Sequence, residues 1–420
     1  MALRFYTFLY YLVLPLVLLR LIYRGVKAPG YRQRIAERFG IFKAPASPGA
    51  IWVHAVSVGE TIAAVPVVRQ ILERYPERTV VMTTMTPTGS DRVRALLGDS
   101  VFHVYAPYDL PVAVNAFLRK IKPSLLVIME TELWPNMIHA CRRNLVPVLV
   151  ANARLSAKSA SGYQKVSALT APMLSNVTKI VAQTQADADR FKGLGMASER
   201  VVVSGSIKFD IDLDEKLCEQ AAVLKKSWGD GRTIWVAAST HAGEDEILLQ
   251  AHKTLLKHYP QLLLVLVPRH PERFEAVAAL VQQQGLCFQC RSNCDVPDDE
   301  TQVVVGDTMG ELLLLYGVSD IAFVGGSLVD SGGHNMLEPA AWGLPILTGP
   351  SDFNFAAISA MLQAQGALKK VTDSTTMVEQ IHRWLESKTD REIAGNAAAG
   401  VVKENRGALA RLVEEIDQLL

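Results

Sequence analysis

The sequence predicts an α/β protein of two doubly wound domains behind an apolar N-terminal helix, and three observations support this. Short β-branched runs alternate with amphipathic stretches along almost the whole chain, the mark of strands and crossover helices. The chain has 420 residues, more than one ordinary domain of roughly 100–200 residues takes up, and two domains account for it. The opening residues are apolar, basic-flanked and stand outside that alternation.

Residues 5–19 carry no charge, and if Arg20 snorkels the apolar run extends through Leu21, Ile22 and Tyr23. A helix needs roughly 20 residues to cross a bilayer core and a signal-peptide core has about 7–15, so the run is just long enough to span. No small-residue cleavage site follows promptly, because Arg20, Arg24 and Lys27 come next. A retained anchor over residues 1–24 is expected. Arg20, Arg24, Lys27, Arg32, Arg34 and Arg38 lie after the run, against Arg4 alone before it, which places the body of the protein on the cytoplasmic side. Pro15 and the aromatic residues Tyr6, Tyr10 and Tyr11 leave open a placement flat in the interface. Both placements set the chain against anionic headgroups, which the basic stretch would hold.

With 49% hydrophobic and 20% charged residues the chain is core-rich and folded. A net charge of +1 argues against general nucleic-acid binding. The five cysteines suit a reducing compartment better than a disulfide framework. Cys287 and Cys290 have C-x-x-C spacing with Cys294 close behind, but no second paired cluster completes a zinc site, and small half-buried thiols explain them.

Strands are expected at 51–54, 79–84, 125–129, 146–150, 179–182 and 201–204, then at 233–238, 262–267, 303–305, 321–324 and 345–347. The boundary between the two sets falls between Gly205 and Asp230, where charge and turn residues replace the apolar runs. Ligands of such folds bind where strand C-termini meet helix N-termini, and in a two-domain version in the cleft between the domains. Polar residues mark nearly every one of these exits: 54–60, 83–89, 130–136, 152–154, 238–241, 268–271 and 331–339. The last of these, from Ser331 to Pro339 with Gly332, Gly333, His334, Asn335 and Glu338, reads as a socket for a phosphate and its nucleoside, or as a tight strand-to-helix turn.

Glu60 falls in the first turn of a helix, where its carboxylate serves as a general base or simply complements the helix dipole. Arg269 and His270, between Pro268 and Pro271, suit a phosphate. Glu130 and Glu132 share one face if Thr131 between them is extended. Lys208, at the domain junction, can neutralise charge on a leaving phosphate. The Thr308 to Glu311 turn could pack against a base or ribose, or form a capping box. Asp187 and Asp189 read as the start of a solvated helix face. No H-E-x-x-H, EF-hand or P-loop pattern occurs. A base, a phosphate clamp and helix-end amides without a metal motif fit transfer from a nucleotide-activated donor.

The stretches HAVSVGE at 54–60, ETELWPN at 130–136, PRHP at 268–271 and GHNMLEPA at 333–340, in that order, closely resemble the Kdo (3-deoxy-D-manno-octulosonic acid) transferases of Gram-negative lipopolysaccharide synthesis. The resemblance covers nearly the whole chain, with no departure at the motif positions. It implies a GT-B glycosyltransferase: two Rossmann-like domains, an acceptor-binding one over 25–210 and a nucleotide-sugar-binding one over 211–420 whose last helix packs back on the first. It further implies an inverting, metal-independent mechanism without cofactor, CMP-Kdo as donor, the lipid A precursor as acceptor, and residence at the inner membrane. By the same resemblance Glu60 is the base for the acceptor's primary hydroxyl, and Glu130 and Lys208 support the transition state. Arg269, His270, Met309, Gly310, Glu311, Asn335, Met336, Leu337 and Glu338 would hold CMP, and Arg32, Arg34 and Arg38 would lie on a basic acceptor surface. Three rivals are another GT-B transferase acting on a lipid-linked sugar, a nucleotide-sugar epimerase, and a membrane-tethered nucleotide sensor. An epimerase needs no anchor, and a sensor needs no Glu60.

Overall fold

The computed structural model describes residues 1–45, 47–229 and 231–420; Asp230 lies outside the described residues, and of Lys27 only the backbone is described. The chain forms two compact units, Met1–Asp210 with Arg406–Leu420, and Ile211–Asn405.

The first unit begins with helix α1 (Ala2–Lys27). There follow β1 (Ile51–His54), α2 (Val58–Arg74), β2 (Val80–Thr84), α3 (Pro87–Leu97), β3 (Phe102–Tyr105), α4 (Pro111–Ile121), β4 (Leu125–Met129) and α5 (Pro135–Arg143). The unit continues through β5 (Val148–Ala153), α6 (Ala157–Lys165), α7 (Ser167–Ser175), β6 (Lys179–Ala182), α8 (Gln185–Gly193) and β7 (Val201–Val203). Its seven strands run in the order β3-β2-β1-β4-β5-β6-β7, and every pairing is parallel. β1, β2, β4 and β5 are buried along their whole length, which is why their sequences are continuous apolar runs rather than alternations.

The second unit contains α9 (Glu215–Ser227), β8 (Ile234–Thr240), α10 (Asp245–Leu256), β9 (Leu263–Pro268), α11 (Phe274–Gln283), β10 (Phe288–Cys290), β11 (Val303–Val305) and α12 (Leu312–Val318). It ends with β12 (Ile321–Val324), α13 (Leu337–Ala341), β13 (Ile346–Thr348), α14 (Ala356–Ala364), β14 (Leu368–Lys370), α15 (Ser374–Glu386) and α16 (Lys388–Asn405). This sheet is also parallel, in the order β10-β11-β9-β8-β12-β13-β14. The strand order reverses direction at β1/β4 in one sheet and at β8/β12 in the other, the switch points where doubly wound sheets open a crevice. The chain then returns to the first unit as α17 (Ala408–Asp417), whose Ala408, Leu412 and Ile416 join the core between α2 and the sheet.

Several expectations are corrected. β5 runs to Ala153 and β8 to Thr240, so Asn152, Ser239 and Thr240 lie inside strands rather than beyond them. The edge strands β3 and β14 were not expected; each is short, and β14 carries Lys369 and Lys370 in place of an apolar run. Asp187 is buried, not solvated: it accepts from Leu155 N at 2.9 Å and from the Thr184 hydroxyl at 2.5 Å. Arg38, expected on a basic surface, is 1% exposed, stacks over Tyr105 at 4.4 Å and donates to Met85 O at 2.9 Å. Arg34 is spent on Glu37 and on His103 O, and Arg32 on Ile22 O. These contacts fasten the link after α1, and of the three only Arg38 is taken off the surface.

Three imidazoles are packed inside neutral. Burial pushes the pKa of His54 and of His103 from 6.5 to about 3, the latter helped by Arg34 and Arg94. Burial brings His252 down to about 4. His252 accepts from Trp235 Nε1 at 3.1 Å, so its own Nε2 is the donor to Gln302 O. Between those values and 6.5 the unfolded chain binds more protons, so stability rises with pH across that window and is fully present above it. Urea unfolding is expected to give a constant free energy above about pH 7 and a progressive loss from about pH 6.5 towards 4. Equal stability at the two ends would contradict the buried neutral imidazoles.

Candidate active site

In the first unit the carboxyl end of β1 leads into the N-terminus of α2. Ser57 caps that helix by accepting from Glu60 N at 3.3 Å, and Glu60 answers with both oxygens, taking Ser57 Oγ–H at 2.7 Å and Val56 N–H at 2.7 Å. This reciprocal cap holds the carboxylate in one orientation at 8% exposure. Each oxygen keeps lone-pair capacity for a further proton donor.

Glu130 follows β4 in the left-handed region with φ 55° and forms a turn with Thr131, so the extended backbone that would put Glu130 and Glu132 on one face is not formed. Burial raises the Glu130 carboxyl above its usual range, Lys208 and Arg154 oppose the rise and Glu60 adds to it, so groups from three other strand exits act on Glu130. Burial likewise raises Glu132, which accepts from Trp134 Nε1 at 2.9 Å. Lys208 is exposed on a single helical turn held by Ile207 N donating to Asn152 Oδ1 at 3.2 Å. Asn152 is itself left-handed at φ 51°, and its buried Nδ2 has no partner. Two strained non-glycine residues on adjacent strands mark this end of the sheet as a place where geometry is held against local preference.

In the second unit the β8/β12 switch is organised by Glu244. Its carboxylate is fully buried and accepts from four backbone amides: His241 at 2.8 Å, Gly326 at 2.7 Å, Ser327 at 3.0 Å and Leu328 at 2.9 Å. The loop thus pinned lies under two imidazoles, His241 and His334, with Nε2 atoms 2.8 Å apart and rings inclined by 15°. A Cβ on Gly326, which has φ 66°, would stand 2.9 Å from the His334 ring, so only glycine fits. His270 meets His241 edge-on at 5.5 Å. Burial, then Arg269, lowers His334 to about 4.

Arg269 and His270 are exposed beyond β9. The charge of Arg269 also reaches Glu338, whose carboxyl is raised by burial and held down by a 3.0 Å hydrogen bond from Asn335 Nδ2. The expected socket residues Arg269, His270, Asn335 and Glu338 therefore do gather. The Gly332 to Asn335 stretch is loop rather than helix, since α13 begins only at Leu337, and Asn335 Oδ1 caps it by accepting from Leu337 N at 3.1 Å. Met336 and Leu337 are completely buried, so their side chains face the core and not a ligand. The turn of Met309, Gly310 and Glu311 follows β11, the neighbour of β9; Glu311 is engaged by Thr308 and by Arg291 at 3.2 Å, while Met309 is 64% exposed. Gly310 and Glu311 border a cavity of about 740 Å³. Cys287, Cys290 and Cys294 are free thiols.

Residues 33–211 match the family model described as 3-deoxy-D-manno-octulosonic-acid transferase. The chain is 48% identical over 413 residues to the 3-deoxy-D-manno-octulosonic acid transferase of Haemophilus influenzae, covering 98% of this chain and 97% of that one. The chain belongs to the Kdo transferase family. As a Kdo transferase it is a glycosyltransferase, and the Bordetella pertussis member is 34% identical over 97% of this chain. Among solved structures, the UDP-GlcNAc 2-epimerase of Neisseria meningitidis superposes with a TM-score of 0.58 at 16% identity, over 88% of this chain and all of that one. That likeness shows the shared two-domain GT-B-like α/β fold of this Kdo transferase.

Sequence reasoning had quoted His241 and His334 without giving them a role, and had missed Glu244. An acid three residues after His241, the residue that follows the strand, has the spacing of a capping box, and that was the available signal. Glu244→Ala leaves four buried amides without an acceptor and is expected to destabilise the second unit by about 3 kcal/mol or more. Chemical unfolding measures this, and a loss within about 0.5 kcal/mol, as for a surface change, would deny Glu244 its organising role.

Proposed function

We propose that this Kdo transferase takes Kdo from CMP-Kdo and joins it to the primary hydroxyl of the glucosamine disaccharide of a lipid A precursor, in lipopolysaccharide synthesis at the cytoplasmic face of the inner membrane. The observation that carries the reading is the oriented, nearly buried Glu60 at the β1/β4 switch, within electrostatic reach of Glu130, which Lys208 also reaches. The acceptor oxygen bonds to the anomeric carbon of Kdo as the carbon–oxygen bond to phosphate breaks. The electron pair leaves with CMP, the hydroxyl proton passes to Glu60, and the configuration inverts. Lys208 offsets the charge that develops, and Glu130 keeps it in place. Arg269, His270, Asn335 and Glu338 hold the nucleotide, the arginine on the phosphate and the amide and carboxyl on polar groups of the nucleoside. The Met309 to Glu311 turn borders it, and no step uses a metal.

Membrane association is supported by α1, long and apolar enough over Ala2–Val26 to enter a bilayer. One stripe of α1, with Tyr10, Leu14, Val17 and Leu18, packs on the cluster of Tyr108, Leu110 and Ala113, while Phe5, Phe8, Leu12, Leu16 and Leu19 are bare. A helix held to the body along its length lies in the interface with its bare side in lipid.

Transfer by Glu60→Gln, isosteric but not basic, is expected to fall about 100-fold or more with CMP affinity nearly intact. Arg269→Ala is expected to do the reverse in calorimetry, weakening CMP. Near-normal transfer by the first variant removes Glu60 as the base, and unchanged affinity in the second removes the clamp. Transfer is expected to survive EDTA, and a strict divalent-metal requirement would contradict the metal-free step. Mass spectrometry of the product from CMP-Kdo and the lipid A precursor reads donor, acceptor and number of additions together.

A further inference from the structure

A cavity of about 290 Å³ opens in the first unit where the start of α1 meets α4 and the outer face of α5. Arg4, His139 and Arg143 line it together with Asn115 and Asn136, and no acidic residue does. Arg4, His139 and Arg143 have no hydrogen-bond or ion-pair partner among the described residues. A basic residue in the last turn of α5 complements the negative end of that helix, and Arg142 satisfies this from outside the cavity. Helix-dipole chemistry does not explain why His139 and Arg143, one turn apart on the same face, converge with a third basic side chain from another helix.

The nearest acid is unavailable. Asp109 is 1% exposed, and its carboxylate already accepts from Asn136 N at 3.0 Å, Met137 N at 2.7 Å and Tyr6 Oη–H at 3.0 Å. Thr7 Oγ–H donates to Asn136 Oδ1 at 3.0 Å. The same bonds fix the first two turns of α1 to α5, so Arg4 is held at the cavity while Phe5 and Phe8 beside it are 63% and 58% exposed. A cationic recess thus adjoins the bare apolar stripe at the same end of the helix.

We propose that this cavity binds the phosphate of an anionic glycerophospholipid whose acyl chains lie against the bare face of α1. The assignment rests on the interfacial placement of α1 given above. Arg4 and Arg143 bracket the phosphate, His139 and the asparagine side chains border it, and Phe5 and Phe8 enter the acyl region. The site makes the anchor selective for lipid charge as well as for apolar surface.

The test is flotation of the full chain with phosphatidylcholine vesicles, with and without phosphatidylglycerol. The double variant Arg4→Ser, Arg143→Ser is compared with Arg20→Ser, Arg142→Ser, which removes the same charge from the same two helices outside the cavity. Diffuse attraction predicts equal losses for the two pairs. A built site predicts that the cavity pair loses about tenfold more affinity for phosphatidylglycerol vesicles, the scale of one further charge-assisted contact, with no difference on phosphatidylcholine. Inorganic phosphate replacing chloride at matched ionic strength is expected not to displace the vesicles. Equal losses overturn the proposal alone, and displacement by phosphate overturns it in favour of a free-anion site. A raised KM for detergent-dispersed acceptor in the cavity pair overturns it in favour of an acceptor subsite. Failure of the unaltered chain to bind either vesicle overturns the membrane reading, and the proposal with it.

Discussion

A parallel sheet covered on both faces has nowhere to put polar side chains except its ends. Both units obey this constraint. β1, β4, β8 and β9 are buried throughout or nearly so, and the polar residues gather where those strands stop. Reversal of strand order at β1/β4 and at β8/β12 then parts the following helices, so the loops beyond those strands are left free to hold chemistry. Glu60 and Glu130 leave one switch, and His241 and the Gly325 to Ser327 loop leave the other.

The two switches hold their loops by different means. In the first unit the carboxylate of Glu60 and the amide of Asn152 each secure backbone close to their own strand ends. In the second a single buried carboxylate, Glu244, gathers amides from two loops that are far apart in sequence. Left-handed backbone at Glu130, Asn152 and Ser239 accompanies both arrangements. Ser239 sits where the register of β8 against β9 shifts, and its carbonyl would stand only 2.7 Å from a Cβ on Gly325. Gly325 therefore allows β12 to end against a bulged neighbour.

Central strands were legible because burial on both faces demands continuous β-branched sequence; 51–54, 125–129, 179–182, 303–305 and 321–324 match β1, β4, β6, β11 and β12 residue for residue. The edge strand β7 was legible from its run of valines, whereas the edge strands β3 and β14 were not, because they need satisfy only one neighbour and carry His103, Lys369 and Lys370. Site residues that must reach solvent, such as Arg269, His270 and Lys208, stood out as polar side chains at strand exits. Residues that work from inside did not. Glu244 and Asp109 look like any helix-flanking acid until their distant amide partners are known, since those partners lie tens of residues away. Charge alone misled in the opposite direction with Arg38, where burial over aromatic rings outweighs exposure.

The return of α17 to the first unit has a consequence for the order in which the chain can become whole. Residues 211–405 are an uninterrupted insert, whereas the first unit is discontinuous in sequence. Asp210, just before the insert, accepts from Gly407 N and Leu409 N, just after it, and Lys179 and Arg74 reach Glu415 and Asp417. Until α17 leaves the ribosome, the core face made by Val68 and Ile71 lacks its Leu412 and Ile416 partners. Helix α1 is therefore made before the insert and the unit it belongs to is completed only after it, so a product truncated within α17 would carry α1 on an unfinished unit.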